Sequence, residues 1–325
     1  MITIKDIARA AGVNHSTVSR ALNDDSRVSA AMREKIQTIA RQMNYVPNLA
    51  AKKLVRHNTN FIGLIWPPKE GLFFYNMSVR LQQEGVKRGY RVVQITDSPA
   101  EAMQAFNQFG VDHVIFWNSY PSVSAAFTAE RERFRGEVLT MGGPELEGTH
   151  WLSIDRRGAL LKAVHHLSGL GHRKIAYAGV LQNKEKLSSF MEGIAECKCD
   201  YRPEYLLGYY DDAFEQEAER LLRMENRPTA IVIDSQLCLF RLMRIFRKCD
   251  VKIPDDMSVV VYDDTPEMEA FEIAFTTVGP SIQELAVKAW DIIARERVED
   301  AKRIEEVVQT SLIQRGSTRP LYVRD

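Results

Sequence analysis

From Phe61 onwards, short apolar runs alternate with segments of helical periodicity, and this alternation restricts the fold more than any other feature of the chain. Strands are predicted at 61–66, 90–95, 113–117, 137–141, 174–178, 229–233 and 257–262, and helices near 77–89, 99–109, 157–169, 214–223, 235–249 and 281–297. Short apolar strands separated by helical segments indicate parallel sheets with right-handed crossovers. The sequence therefore predicts an α/β architecture for residues 61–325.

The first sixty residues carry helical patterns only. Thr3, as an N-cap, predicts a first helix near 4–11, which Gly12 ends. Asn14 or Ser16 is expected to cap a second helix that turns Val18, Ala21 and Leu22 inwards. Two short helices joined at a glycine are typical of the helix-turn-helix motif. A third amphipathic segment, Ala30–Met43, is expected to close a small core.

The formal net charge is zero, but the charges are unevenly distributed along the chain. Residues 1–60 hold ten Lys and Arg against four Asp and Glu, a charge of +6, so the remainder carries −6. Lys and Arg contacts to phosphate release condensed counterions, whereas an acidic body is repelled by a polyanion. This distribution favours a nucleic-acid partner for the N-terminal segment.

Several other classes of protein find no support in the sequence. There is no apolar run of about 18 residues and no export signal, so a cytosolic protein with no membrane association is expected. The four cysteines, Cys197, Cys199, Cys238 and Cys249, are then expected to be reduced, and the lone C-x-C pattern does not indicate a metal site. No phosphate-binding loop, G-x-S-x-G motif or nucleophile–base set is present, which predicts neither an enzyme nor a cofactor.

The N-terminal motifs are specific when they are taken together. They are Thr3-Ile4-Lys5-Asp6-Ile7-Ala8, Ala11-Gly12-Val13, Ser16-Thr17-Val18-Ser19-Arg20-Ala21-Leu22-Asn23 and Tyr45-Val46-Pro47-Asn48. This set resembles the headpiece of the LacI/GalR family of bacterial transcription regulators. The resemblance implies that the start of the second helix, at His15 and Ser16, reads base edges in the major groove of DNA. Arg20 lies one turn later and has the guanidinium that can bind guanine in a bidentate way.

The resemblance also assigns roles to the segment that follows. It implies a hinge over 47–60, in which a short helix capped by Asn48 orders on the operator and wedges Leu54 into the minor groove. Lys52 and Lys53 are expected to neutralise phosphates, and Thr17, Ser19 and Asn23 to contact phosphates or pack the helix. The candidate DNA-binding residues are Thr3, Asn14, His15, Ser16, Thr17, Ser19, Arg20, Asn23, Asn48, Lys52 and Leu54.

The body is similar to the family more loosely, at 154–155, 167–176, 228–231, 253–260, 263–264, 276–278 and 312–317. The resemblance implies two α/β lobes, like those of periplasmic sugar-binding proteins, with a ligand between them. The predicted domains are a headpiece (1–46), the hinge (47–60) and a sensor (61–325). Lobe 1 is expected at about 61–155 and 280–303, and lobe 2 at about 156–279 and 304–325.

The body departs from the family at two positions that ordinarily bind the effector. Phe190 stands where an arginine is usual, and Ser235-Gln236 stands where an Asn-Asp pair is usual. The sequence therefore predicts an aromatic cleft with few charges. The candidate effector-binding residues are Trp66, Phe73, Phe74, Trp117, Asp155, Phe190, Tyr209, Tyr210, Ser235, Gln236 and Asp263. A carbohydrate-like effector, another small molecule, and a protein corepressor or no effector at all remain open.

These observations lead to the expectation of a sequence-specific DNA-binding repressor that binds a palindromic operator as a homodimer. A small molecule would shift the population of molecules able to grip that operator. A periplasmic-type solute-binding protein shares the body but not the basic headpiece, and an enzyme on the same scaffold would need a catalytic set.

Overall fold

The computed structural model describes residues 2–22, 24–45, 59–295 and 302–321, and the chain divides into two compact units, Met1–Thr59 and Asn60–Asp325. The hinge candidates Asn48, Lys52 and Leu54, and Asn23 at the end of the second helix, lie outside the described residues.

The first unit is a bundle of three helices, α1 (Ile4–Ala11), α2 (His15–Leu22) and α3 (Ala30–Gln42). The Thr3 side chain accepts a hydrogen bond from the Asp6 backbone N–H, and the Asp6 carboxylate accepts one from the Thr3 backbone N–H. Gly12 ends α1 at φ 69°, a left-handed conformation that glycine adopts without a steric penalty. Ile7, Val18 and Ile36 are fully buried between the helices.

The described residues of the second unit form twelve strands, numbered in chain order. They are β1 (Phe61–Ile65), β2 (Arg91–Ile95), β3 (His113–Trp117), β4 (Val138–Met141), β5 (His150–Ile154), β6 (Ile175–Gly179), β7 (Leu206–Gly208), β8 (Ala230–Ile233), β9 (Ser258–Tyr262), β10 (Thr276–Gly279), β11 (Glu305–Val308) and β12 (Ser311–Ile313). The helices are α4 (Leu72–Lys87), α5 (Pro99–Phe109), α6 (Ala125–Arg133), α7 (Arg156–Gly169), α8 (Lys184–Glu196), α9 (Phe214–Arg223), α10 (Gln236–Lys248) and α11 (Ile282–Ile293).

The strands form two six-stranded sheets, ordered β11-β5-β4-β3-β1-β2 and β12-β10-β9-β8-β6-β7. All neighbours are parallel except β10 and β12. Helices cover both faces of such sheets, which is why a central strand such as β6 is buried along its whole length. The two-lobed α/β architecture expected from the alternating pattern is confirmed.

The chain passes between the sheets three times, after β5, after β10 and after β11. The predicted lobe boundary at residue 303 is wrong by several residues. β11 pairs with β5 in parallel register, with Glu305 opposite Trp151, so this segment belongs to lobe 1 and the chain returns to lobe 2 only after Val308. The α4 helix begins at Leu72, five residues before the predicted start.

Trp290 of α11 anchors the core of lobe 1. Its side chain is fully buried, and its indole Nε1 donates a 2.8 Å hydrogen bond to the Leu81 carbonyl oxygen of α4. A side chain at Gly85 would collide with the Trp290 ring, since its Cβ would lie 2.5 Å from Cζ2. The glycine therefore allows the two helices to pack closely.

No helix within the described ranges is long and apolar enough to cross a membrane.

Candidate functional site

The outer face of α2 is polar and carries most of the described sequence-predicted DNA contacts. Asn14, His15, Ser16 and Arg20 are exposed, while Val18 and Ala21 face the core. Asn14 borders the helix, because its carbonyl oxygen accepts from the Thr17 N–H at 2.9 Å. The Arg20 backbone carbonyl oxygen accepts from the Asp25 N–H, but the exposed Arg20 guanidinium makes no hydrogen bond or ion pair with the described residues. A guanidinium presented in this way can donate in a bidentate fashion to an outside acceptor.

Other candidates of the first unit have mainly structural contacts. Thr3 is exposed, but its hydroxyl donates to the Asp6 carboxylate at 2.7 Å as part of the helix cap. This hydrogen bond is the main reason that the pKa of Asp6 is lowered. Thr17 and Ser19 are half-buried beside the core. They are placed to contact a partner only with the edge of the side chain.

The second unit has a cavity of about 1210 Å³ between its two lobes. Residues that follow the carboxyl ends of strands line it on both sides, among them Asn118 after β3, Gly142 after β4 and Asp234 after β8. Open parallel sheets bind ligands at this edge, because loops there diverge and leave a crevice. The cavity is large enough for a ligand the size of a disaccharide.

The lobe 1 wall of the cavity is aromatic. Trp66, Phe73, Phe74 and Trp117 form one cluster of edge-to-face contacts, with ring centroids 5.4 to 5.9 Å apart. Phe73, Phe74 and Trp117 line the cavity, whereas Trp66 lies behind them. Rings of this kind offer flat apolar surface to a ligand. Tyr120 and Trp151 also line the cavity, and the sequence analysis missed both.

The lobe 2 wall is polar, and its central residues are Lys186, Asp234 and Tyr262. Asp234 is 2% exposed; its Oδ2 accepts from the Val180 N–H at 2.9 Å and from the Tyr177 hydroxyl at 3.2 Å. Its other oxygen, Oδ1, and the Tyr262 hydroxyl are buried and have no hydrogen-bond partner among the described residues. Such atoms are rare in native proteins and indicate groups that a ligand completes.

Lys186 is the least expected member of this wall. Its ammonium donates to the Asp234 carbonyl oxygen at 2.8 Å and lies 3.6 Å from the centre of the Tyr262 ring. Burial lowers the pKa of Lys186, while the negative charges of Asp234 and Asp263 raise it. Arg156 also lines the cavity, donating to the Gly142 carbonyl oxygen across the gap between the lobes. The expectation of a cleft with few charges is therefore wrong.

Asp263, at the end of β9, is strained as well as charged. Its φ is 74°, in the left-handed region that non-glycine residues rarely adopt. Burial raises the pKa of the Asp263 carboxyl from 3.8 to about 6, against the opposing effects of Lys186 and Arg156. Tyr209, Tyr210 and Ser235 line the cavity too.

Four of the predicted effector-binding residues, Trp66 included, do not line the cavity. Asp155 caps α7, its carboxylate accepting from the Gly158 N–H at 2.8 Å. Phe190 is buried in the lobe 2 core with its ring 5.1 Å from that of Tyr177. Gln236 is buried behind the wall and donates to the Asp263 carbonyl oxygen at 3.2 Å. Asp234, the first residue after β8, lines the cavity, whereas Gln236 does not.

Replacement of Asp263 by Asn is expected to stabilise the second unit at pH 7. Because the folded-state pKa is raised, the folded chain binds the proton more tightly than the unfolded chain, and the free energy of unfolding falls as pH rises from about 4 to about 6. The ionised carboxylate therefore costs on the order of 2 kcal/mol at neutral pH. Denaturant unfolding should show the gain in Asp263→Asn at pH 7 and little difference at pH 3.5.

The exposed acid Asp212 provides the matched control, since Asp212→Asn removes a charge in full contact with water. An Asp263→Asn protein that is less stable than the parent at pH 7 would show that the carboxylate is a net stabilising partner of the nearby cations.

Comparisons with known protein families match both units of the chain. Residues 3–48 match the family described as bacterial regulatory proteins, lacI family. Residues 164–318 match the periplasmic binding protein-like domain. The exposed polar helix and the interlobe cavity each lie in a region that one of these matches overlaps.

Known proteins align with nearly the whole chain. The HTH-type transcriptional regulator DegA of Bacillus subtilis is 28% identical, with 98% of each chain covered. The HTH-type transcriptional repressor PurR of Vibrio parahaemolyticus is 25% identical, with 99% of this chain and 100% of the relative covered. Among solved structures, the lac repressor dimer bound to operator and the anti-inducer ONPF has a TM-score of 0.79 at 22% identity, covering 98% of this chain and 99% of its own.

Proposed function

The chain belongs to the LacI family of bacterial regulatory proteins, and we propose that it represses transcription by binding a palindromic operator as a homodimer under the control of a small-molecule effector. Like its relatives, it is a DNA-binding transcription regulator and not an enzyme. The observation that carries the proposal is the exposed polar face of α2, on a compact basic unit. Because it acts on chromosomal DNA, we place it in the cytoplasm.

In this proposal, α2 lies along the major groove and reads bases with His15, Ser16 and Arg20. Asn14, Thr17 and Ser19, with Thr3 at the start of α1, fix the register by contacts to phosphates. Asn23, Asn48, Lys52 and Leu54 complete the contact, with Leu54 wedging the minor groove open at the centre of the site. Two copies related by a twofold axis then match the two halves of a palindrome.

The effector occupies the interlobe cavity. Solved relatives support this proposal, because one holds cellobiose and another, from Enterococcus faecium, holds ribose. The aromatic wall of Phe73, Phe74 and Trp117 suits the apolar face of a sugar ring, and the polar wall suits its hydroxyl groups. Since the two walls belong to different lobes, a ligand that contacts both changes the equilibrium between lobe arrangements.

Selection of binding sites from random duplex oligonucleotides tests the function directly. The Arg20→Ala protein tests whether Arg20 reads the bases of the selected site. We expect the parent to select one symmetric sequence. Arg20→Ala should bind that sequence roughly 5- to 150-fold more weakly, while its affinity for unrelated DNA stays nearly unchanged.

Arg9→Ala is the control, because Arg9 is an exposed cation on α1 and its replacement by Ala removes the same charge. It should weaken both kinds of DNA to a similar, smaller extent. Equal losses on both DNAs for Arg20→Ala would refute the base-reading role. A parent protein that selects no symmetric site would refute the proposed function.

A further inference from the structure

We propose that the effector is an acidic sugar, whose phosphate or carboxylate group binds among Lys69, Arg156 and Lys186 at the polar side of the interlobe cavity. The inference rests on the proposed effector site and names the chemical class of its ligand.

Lys186 carries the argument. Its side chain is 9% exposed and lines the cavity, yet its ammonium makes no ion pair within the described part of the chain. One of its three N–H groups donates to the Asp234 carbonyl oxygen, and the Tyr262 ring lies beneath it. A buried cation without a direct counter-ion is costly, and an anion supplied from the cavity removes that cost.

Two further cations converge on the same side of the cavity. The Arg156 side chain is 15% exposed, and its nearest carboxylate oxygen, of Glu185, is 3.5 Å away. Lys69 comes from the loop after β1 in lobe 1 and lies at the exposed rim. Burial and repulsion by Lys186 and Arg156 lower the pKa of Lys69. Like charges held this closely destabilise one another until an opposite charge joins them.

Among the described residues, the acids of the cavity pair directly with this group at one point only, the 3.5 Å ion pair between Arg156 and Glu185. One carboxylate oxygen of Asp234 accepts hydrogen bonds from the Val180 N–H and the Tyr177 hydroxyl. Asp263 forms no ion pair with Lys186. The unpartnered Tyr262 hydroxyl donates to an acceptor, and the unpartnered Asp234 Oδ1 requires a donor. Hydroxyl groups of a ligand satisfy both atoms, and an anionic group on the same ligand would meet the cations.

The aromatic wall of lobe 1 provides the contact for the sugar ring. The ring of a sugar stacks on the lobe 1 side while its acidic group reaches Arg156 and Lys186 on the lobe 2 side and Lys69 from the loop after β1. A hexose phosphate and a hexuronate share this chemistry, and they differ only in the source of the negative charge.

The test uses the full-length protein with matched pairs of sugars: glucose 6-phosphate against glucose, galacturonate against galactose, and inorganic phosphate alone. Thermal shift, calorimetry and operator affinity are measured for each probe. We expect at least one acidic sugar to raise the melting temperature and change operator affinity, while its neutral parent does neither. The phosphate and carboxylate arms identify the source of the charge.

Lys186→Met should weaken binding of the acidic sugar about 10- to 100-fold, because a charge-assisted hydrogen bond is lost. Lys186→Arg should restore part of the affinity, which a merely structural role would not predict. Lys248→Met is the control, since Lys248 is a surface lysine paired with Glu219. It should leave the affinity unchanged.

Three outcomes would overturn the inference: equal binding of acidic and neutral sugars, binding of neutral sugars alone, or no binding by any probe. Each of these leaves operator selection intact and so leaves the DNA-binding function standing. Conversely, an acidic sugar that binds a protein unable to select any operator would contradict the proposed function and support the inferred ligand.

Discussion

Replacement of Val18 by Asp should abolish operator binding while leaving the second unit folded. Val18 is fully buried in the three-helix core, where an ionised carboxylate has neither water nor a partner. A bundle this small has a stability of only a few kcal/mol, which a buried charge exceeds. Helix content in the first unit should fall, and binding to the selected operator should drop to background.

Circular dichroism, calorimetry and a gel-shift assay together measure this effect. Thr38→Asp introduces the same charge at an exposed position of α3 and serves as the control; it should bind DNA far better than Val18→Asp. Because the chain divides into two compact units, the melting transition of the second should not move. Retained operator affinity in Val18→Asp would show that the small core does not position the DNA-reading helix.

Replacement of Trp290 by Ala should be the most destabilising single change among the described residues of the second unit. It removes a fully buried indole, breaks the hydrogen bond to the Leu81 carbonyl oxygen and opens a cavity opposite Gly85. Replacing a buried tryptophan by alanine typically lowers the free energy of unfolding by about 3–5 kcal/mol, which lowers the melting temperature of a unit this size by roughly 10 °C.

Scanning calorimetry checks this prediction, with Phe109→Ala as the control because the Phe109 side chain is 62% exposed. Trp290→Phe should recover part of the loss, since it refills most of the space but cannot donate the hydrogen bond. A Trp290→Ala protein that melts within about 2 °C of the parent would show that the contact between α4 and α11 relaxes around the vacancy.

The fold could be predicted from the sequence at most of the strands that are buried on both faces, although β10 was missed. β3 and β9 are continuous apolar runs and were predicted within a residue of their bounds. β11 and β12 lie at the outer edges of the two sheets with half of their side chains in water, so they show no apolar run, and the prediction missed them. Strands β5 and β7 and helices α6 and α8 were also missed.

The aromatic part of the cavity was predicted, but its charged part was not. Lysine is nearly always exposed, so the residue type alone does not indicate that Lys186 is buried. A sequence pattern could have identified it: Lys186 precedes the buried Phe190 by one helical turn and Gly193 by two, so all three share the inward face of α8. Asp234 was missed because the prediction considered only the two positions after it, Ser235 and Gln236, of which Ser235 lines the cavity.

The three passages of the chain between the sheets have a consequence for biosynthesis. Each lobe is assembled from segments far apart in sequence, and the last edge strands, β11 and β12, are contributed by residues 305–313. A nascent chain on the ribosome therefore holds two incomplete sheets with open edges until residues 305–313 have been synthesised, a state vulnerable to aggregation. The three-helix unit is made first, from contiguous residues, and can fold long before the sensor that controls it exists.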